Sequence, residues 1–331
     1  MTAPTLDIVA IGNAIVDVIA QADDDFIASE GVAKGSMRLM DEATSDSLYS
    51  RMGPGREISG GSAANTVAGM AALGCRGGFI GQVADDQLGE VFAHDIRANG
   101  IVFDTPVRSG QPSTARCLIL VTPDAQRTMN TFLGASQFLP EAALDADLIE
   151  SAAILYLEGY LWDPEEPRAA MRKGIALARE AGRKVAFTLS DAFCISRHRA
   201  DFRRLIDEGQ LDILFANESE ILSLMETEDF DGAVDAVAAK VETLVVTRSE
   251  RGAIAVQSGR RYAVPAEPID QVVDTTGAGD LFAAGFLAGQ AQGRGLQDSL
   301  TMGAIAAAEV ISHYGARPEA DLVELIKRRL G

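Results

Sequence analysis

Cysteine, tryptophan, histidine and positive charge are all scarce in this chain of 331 residues. Cys75, Cys117 and Cys194 are odd in number and widely scattered, so neither a disulfide framework nor a zinc-ligand spacing is available. That usage fits a reducing compartment such as the cytoplasm. His94, His198 and His313 share no metal-ligand or triad spacing and read as surface or satisfied core residues. The 29 Lys and Arg face 48 Asp and Glu, a formal net charge of −19, which argues against nucleic acid or an anionic membrane as partner. There is no run of ~18 or more apolar residues, so no membrane span is expected. The opening MTAPTLDIVAIG has neither a basic start nor a long apolar stretch, and a cytoplasmic protein is expected.

Familiar nucleotide motifs are missing as well. The chain has no G-x-x-x-x-G-K-[ST], no protein-kinase H-R-D or D-F-G, and no G-x-G-x-x-G after its first strand. What remains is an ordinary globular composition, 47% hydrophobic and 23% charged, long enough for a large α/β core.

The most informative stretch is Val273-Asp274-Thr275-Thr276-Gly277-Ala278-Gly279-Asp280-Leu281-Phe282. Gly277 and Gly279 let the backbone turn tightly and leave no Cβ before a ligand. The apolar helix that follows offers unpaired N–H groups and the positive end of its dipole, an anion site. Asp280 puts a carboxylate at the mouth. An anion hole beside a base suits phosphoryl transfer to a hydroxyl, although a short G-A-G-D string alone could equally be a capped helix start.

Taken in order, 6–11 and 15–20 read as strands interrupted by Gly12-Asn13. Asn13 and Asp17 stand there either as a turn Asn and a solvated strand Asp or as a pair of hydroxyl binders. Residues 59–74 open with small residues and continue as an Ala-rich helix ending on Gly74. Residues 78–83 read as a strand, and Leu88, Val91, Phe92 and Ile96 give a helical stripe. Residues 116–121 and 127–133, joined by the turn 122–125, read as a hairpin. Strand-like runs at 154–157, 185–189, 211–215 and 244–246 then alternate with helices near 165–181, 199–208, 218–225 and 231–240. That is the rhythm of a parallel, doubly wound sheet, whose ligands sit beyond the strand ends. Tyr160, Trp162, Ser190, Asp191, Asn217, Glu220, Thr247 and Arg248 are therefore candidates. Another hairpin, 253–264, and helices at 279–292, 296–313 and 318–330 complete the chain.

DTTGAGDLF resembles the second signature of the ribokinase-like (PfkB-type) carbohydrate and nucleoside kinase family, and GGSAANTVAGMAALG its first. Asn217-Glu218-Ser219-Glu220 resembles the family's N-x-x-E motif, and Thr247-Arg248-Ser249-Glu250-Arg251-Gly252 its nucleotide loop. The resemblance covers nearly the whole chain. It implies one domain, 1–331, with a three-layer α/β/α, doubly wound, mostly parallel sheet and a small β lid near 14–40 and 102–132. It implies ATP and Mg²⁺, and in some members K⁺. The anion hole falls to Gly277, Ala278 and Gly279 with Thr276, and the base to Asp280. Asn217, Thr247, Arg248 and Gly252 would hold the nucleotide. Glu220 would hold Mg²⁺ through water, and K⁺ would lie near Asp274, Thr276 and the turn at 315.

Gly12-Asn13-Ala14-Ile15-Val16-Asp17 resembles the opening of the adenosine kinases within this family more than that of ribokinases or fructokinases. The resemblance gives Asp17 the ribose diol, places Asn13, Gly60, Gly61, Ser62 and Asn65 around the sugar, and puts Tyr160 near the base. The expected activity is ATP-dependent phosphorylation of the 5′-hydroxyl of adenosine. A sugar kinase acting on ribose or fructose, and a non-catalytic nucleoside-binding member, are the alternatives. The expected partner is a small molecule, bound by a monomer or homodimer.

Overall fold

Strands buried on both faces carry unbroken apolar runs, because each face packs against helices. The computed structural model describes residues 3–124 and 126–331. Among these, the strands are β1 Leu6–Ile11, β2 Ile15–Gln21, β3 Met37–Leu39, β4 Gly55–Gly60, β5 Gly77–Ile80, β6 Ala115–Val121 and β7 Arg127–Phe132. They continue as β8 Ala152–Glu158, β9 Lys184–Thr188, β10 Ile213–Asn217, β11 Thr243–Thr247, β12 Ala253–Gln257 and β13 Arg260–Val264. Eight form one sheet in the order β13-β12-β11-β10-β9-β8-β1-β5. It is parallel from β11 through β5, with β12 and β13 added antiparallel at one edge.

The pleat of β1 splits its side chains between two cores. Ile8 and Ala10 join Val67, Phe282 and Phe286 from helices Ser62–Ala72 and Ala278–Ala291. Val9 and Ile11 join Met171, Ile175 and Phe202 from helices Glu165–Glu180 and Ala192–Asp207. The result is the expected three-layer α/β/α arrangement around a mostly parallel sheet. No helix among the described residues is long and apolar enough to cross a membrane.

A second, five-stranded sheet has the order β3-β7-β6-β2-β4. Four of its strands fall within 14–40 and 102–132, whereas β4 lies outside both ranges and pairs antiparallel with β2, Ile15 opposite Gly60. The expected hairpin forms β6 and β7; Ala125 of its turn lies outside the described residues.

Some boundaries differ from the sequence reading. The helix expected at 199–208 spans Ala192–Asp207, its start set by the Asp191 cap; the non-helical geometry at His198 (φ −121°, ψ 16°) interrupts the apolar period and hides its first turns. Short helices Asp24–Ser29 and Glu42–Arg51 occupy the weakly periodic region, each started by an Asp side chain accepting a backbone N–H. The last helix, Leu322–Leu330, starts later than 318 because Asp321 caps it.

Helix Ala278–Ala291 packs closely against helix Leu296–Val310. A Cβ on Gly285 would run into the backbone carbonyl of Met302, and one on Gly303 would come within 2.8 Å of the Phe282 carbonyl. Backbone cannot move aside as a flexible side chain can. Gly285→Ala should therefore destabilise the protein by about 1–3 kcal/mol despite the better helix propensity of alanine, worth about 1 kcal/mol. Urea denaturation measures this, and an unchanged or raised midpoint would contradict the packing argument.

Candidate active site

Ligands in doubly wound sheets bind beyond the carboxyl ends of the strands. A cleft of about 770 Å³ lies there, floored by Asn13, Glu158, Thr188, Asn217 and Thr247, each at or just past a strand end. The small sheet contributes Ile15, Asp17, Met37, Leu39, Cys117, Met129 and Thr131 to the opposite wall. Gly61, Ser62 and Asn65 come from one helix start, and Thr276, Gly277, Ala278, Gly279 and Asp280 from another.

Gly277 takes the left-handed conformation (φ 77°) and no side chain caps the helix it begins. The first N–H groups of that helix are left for a ligand. A Cβ on Gly277 would strike that of Ala316 at 2.6 Å, whereas one on Gly279 would meet nothing within 4 Å. The loop is therefore tight behind and open in front. Asp274 fixes it from below: it accepts N–H bonds from Thr276 (3.0 Å) and Gly315 (3.0 Å) and pairs with Arg127 of the small sheet. Asp280 follows as the third helical residue. Ser62 Oγ donates to its Oδ1 (2.6 Å) and Asn65 Nδ2 to its Oδ2 (3.0 Å). Burial pushes the Asp280 carboxyl above the usual range, while these two donors and Arg317 pull it down.

The polar end of the cleft is built on Glu158, fully buried at the end of β8. Its carboxylate accepts from the Asn13 N–H (2.8 Å), Asn13 Nδ2 (2.7 Å) and the Ala63 N–H (2.7 Å). Ser136 Oγ donates to Asn13 Oδ1 (2.8 Å), which fixes the amide. Gly61 adopts φ 100° where a side chain would collide with the Asn13 carbonyl. Gly60 stands behind Asp17, whose Oδ2 would lie 2.5 Å from a Cβ there. Burial raises Asp17 to about 6, against the opposing pull of Arg317 and Arg127.

On the other side, Asn217 caps helix Glu218–Met225 in a capping box with Glu220. Glu220 accepts from the Asn217 N–H (2.9 Å) and Nδ2 (2.6 Å). Burial raises it to about 7. Arg248 and Gly252 do not line the cleft: Arg248 is held by Glu218 (3.0 Å) and stacks on Phe230 at 4.2 Å, and Gly252 forms the turn between β11 and β12. Tyr160 and Trp162 separate. Tyr160 faces the cleft, 41% exposed, whereas Trp162 is buried against Phe187 and Phe202 with its Nε1 on Asp201.

The uncapped helix start beside Gly279 fits a polyphosphate. Among the described residues no cluster of three or more His, Cys, Asp or Glu is arranged to hold a metal. That donor set would suit a Mg²⁺ ion held mainly by phosphates and water rather than by a cage of protein carboxylates. The Asp274 carboxylate is engaged by two N–H groups and a guanidinium, which leaves the expected K⁺ site to the backbone oxygens near Asp274, Thr276 and the turn at 315.

Glu158, Ser136, Arg127 and Arg317 escaped the sequence reading. For Glu158 a signal existed: an acidic residue closing an otherwise apolar strand, AAILYLE.

Comparison with known proteins agrees with this geometry. Over residues 6–321 the chain matches the pfkB family of carbohydrate kinases. A probable sugar kinase from Rhizobium etli CFN 42 superposes with a TM-score of 0.90 at 46% identity, covering 98% of this chain and 99% of that one. The adenosine kinase of Sinorhizobium meliloti gives a TM-score of 0.89 at 48% identity, again over 98% and 99%. An adenosine kinase of Saccharomyces cerevisiae is 27% identical over 337 residues, 95% of this chain and 96% of that protein.

The buried carboxyls make stability depend on pH. Burial raises Glu158 to about 7, as it does Glu220. Each binds its proton more tightly folded than unfolded, so the native state holds extra protons between the ordinary glutamate value and about 7. Stability should then fall as pH rises through that window, by roughly 1–3 kcal/mol per carboxyl. Urea melts should give a higher midpoint at pH 5.5 than at pH 8, and Glu158→Gln should shrink the difference. Equal midpoints, or a higher one at pH 8, would contradict this reading.

Proposed function

As the chain belongs to the pfkB family of carbohydrate kinases, which transfer a phosphoryl group from ATP, usually with Mg²⁺, to an alcohol, we propose that its acceptor is the 5′-hydroxyl of adenosine and its product AMP. One observation carries this choice. Besides the polar Asn13, Asp17 and Asp280, the cleft is lined by Met37, Leu39, Phe193 and Tyr160, which are 55%, 62%, 74% and 41% exposed. Exposed apolar side chains on both walls of one cleft suit a flat heterocycle. A bare pentose or hexose gives them nothing to cover. The competing reading is a sugar kinase of the same family, the description attached to the Rhizobium etli relative.

In the proposed reaction Asp17 accepts from the two ribose hydroxyls, with Asn13, Gly61 and Asn65 beside it. The 5′-hydroxyl lies against Asp280, and the N–H groups at Gly277 and Gly279 receive the phosphate oxygens. Mg²⁺, when bound, neutralises phosphate charge, with Glu220 reaching it through water. Burial holds the Asp280 carboxyl above the ordinary aspartate range, and Ser62, Asn65 and Arg317 offset only part of that rise, so it is a better base than an exposed aspartate yet still a modest one. That suffices, because phosphoryl transfer is largely dissociative and the proton leaves late. Alignment and charge stabilisation supply most of the rate. The small sheet acts as a lid that excludes water.

Asp280→Asn should lower turnover by about three to five orders of magnitude with adenosine affinity largely kept, since the residue aligns the hydroxyl and takes its proton. Steady-state kinetics with calorimetric binding checks this, and a variant with most of the wild-type rate sinks the assignment.

The acceptor is tested by comparing adenosine, inosine, ribose and fructose as substrates. Asp17→Ala should cost adenosine about 2–4 kcal/mol of binding through loss of charge-assisted hydrogen bonds. Tyr160→Ala should cost about 1–3 kcal/mol with adenosine and little with ribose, by analogy with base stacking. Tight ribose binding with no measurable adenosine binding by the wild type would move the protein to the sugar-kinase reading.

A further inference from the structure

Arg317 lies two residues beyond the Gly315 that holds Asp274, in the turn after helix Leu296–Val310. Its guanidinium does not line the cleft. Nη1 donates to the Ala64 carbonyl (2.9 Å), and Nη2 to the Ser59 carbonyl (2.7 Å) and Ser59 Oγ (2.9 Å). Its Nε is buried without a partner. Ser59 is anchored in turn, its N–H and Oγ donating to Asp95 Oδ2 at 2.9 and 2.5 Å.

These two carbonyls bracket the acceptor-side turn. Between them lie Gly60, against Asp17, and Gly61 and Ser62; Asn65 follows directly. Ser62 and Asn65 are the two side chains that hold Asp280. The neighbouring Ala316 abuts Gly277 of the anion hole. One turn therefore touches both halves of the site. Only a planar fork can donate to two carbonyls in fixed directions, and lysine cannot reproduce that.

We propose that Arg317 is a positioning residue for phosphoryl transfer: through its bonds to the Ser59 and Ala64 carbonyls it clamps the turn carrying Gly60, Gly61 and Ser62 against Asp280. The inference rests on the assignment of Asp17 and Asp280 to the site.

The charges around this group are these. Arg317 faces Asp95, Asp17 and Asp280. Asp17 faces Arg317, Arg127 and Asp280, with the Cys117 thiol nearby. Asp280 faces Arg317, and its charge reaches Glu158, Tyr156 and Tyr160. Arg127, itself tied to Asp274, acts on Asp17 together with Arg317, whereas Arg317 acts on Asp280 as well. Its presence lowers each carboxyl against the burial that raises it. Without it both should protonate at higher pH.

The test is the pH profile of kcat/KM for Arg317→Met, Arg317→Gln and Arg317→Lys, measured with whichever acceptor the wild type turns over. The two neutral variants should move the acid limb upward by about one pH unit, with activity recovering partly at high pH. Arg317→Lys should leave the limb near its wild-type position but lower kcat, because the charge stays and the fork is lost. A limb that stays in place in a folded neutral variant, with activity depressed equally at every pH, overturns the proposal. So does a lysine variant whose acid limb moves upward by about one pH unit, a result that decides the matter even where the neutral variants fail to fold. Failure of the adenosine reading would show separately, as absent adenosine turnover by the wild type.

Discussion

A helix that begins without a side-chain cap, in a protein of net charge −19, is the constraint around which this molecule is arranged. An N-terminus of this kind is unstable unless something negative or hydrogen-bonding completes it. Gly277 can take its left-handed turn, and Ala316 closes the space behind it. Asp274 gathers the loop through two N–H bonds and an ion pair to the small sheet. Asp280, held by Ser62 and Asn65, stands at the edge of the opening without filling it. The site is a field of backbone dipoles that no side chain of the protein caps.

The acidic surface explains why so few cations are used and why they are buried. Asp17, Glu158, Glu220 and Asp280 all have proton affinities raised by burial. Four partly protonated carboxyls concentrated in one cleft would repel a polyphosphate if fully ionised. Arg317 offsets Asp17 and Asp280 from the C-terminal turn, and Arg127 offsets Asp17 from the small sheet. Arg317 leaves one guanidinium nitrogen buried without a partner and Arg127 leaves two. Such groups are costly to keep and are held in place by the bonds their other nitrogens make.

What the sequence made legible was local. Gly277, Gly279, Gly60 and Gly61 announce backbone that must turn or approach closely, and the polar residues beside them are read by association. The βαβ rhythm after residue 152 is equally local. The hidden parts act at a distance: Glu158 reaches Asn13 across 145 residues, Arg127 reaches Asp274 across 147, and Arg317 reaches Ser59 across 258. No periodicity records such a pair. The β4 strand was hidden for a related reason, since GREISG has almost no alternation and is recruited by β2. Trp162 looked like a ligand-facing ring because it follows a strand, yet a four-residue turn sends Tyr160 one way and Trp162 the other.

The chain crosses between its two sheets at Asn13, between β1 and β2, and beside Gly61, after β4. In the small sheet β2 and β4, which adjoin these crossings, stand at one end of the strand order, and β3 with Met37 and Leu39 is the edge strand at the other. Asn13 is buried and bonded to Glu158, whereas Met37 and Leu39 are 55% and 62% exposed. The polar end of the cleft is thus a fixed gauge and the edge strand a soft cheek. A substitution at a crossing alters what is measured; one on β3 alters only the wall that covers it.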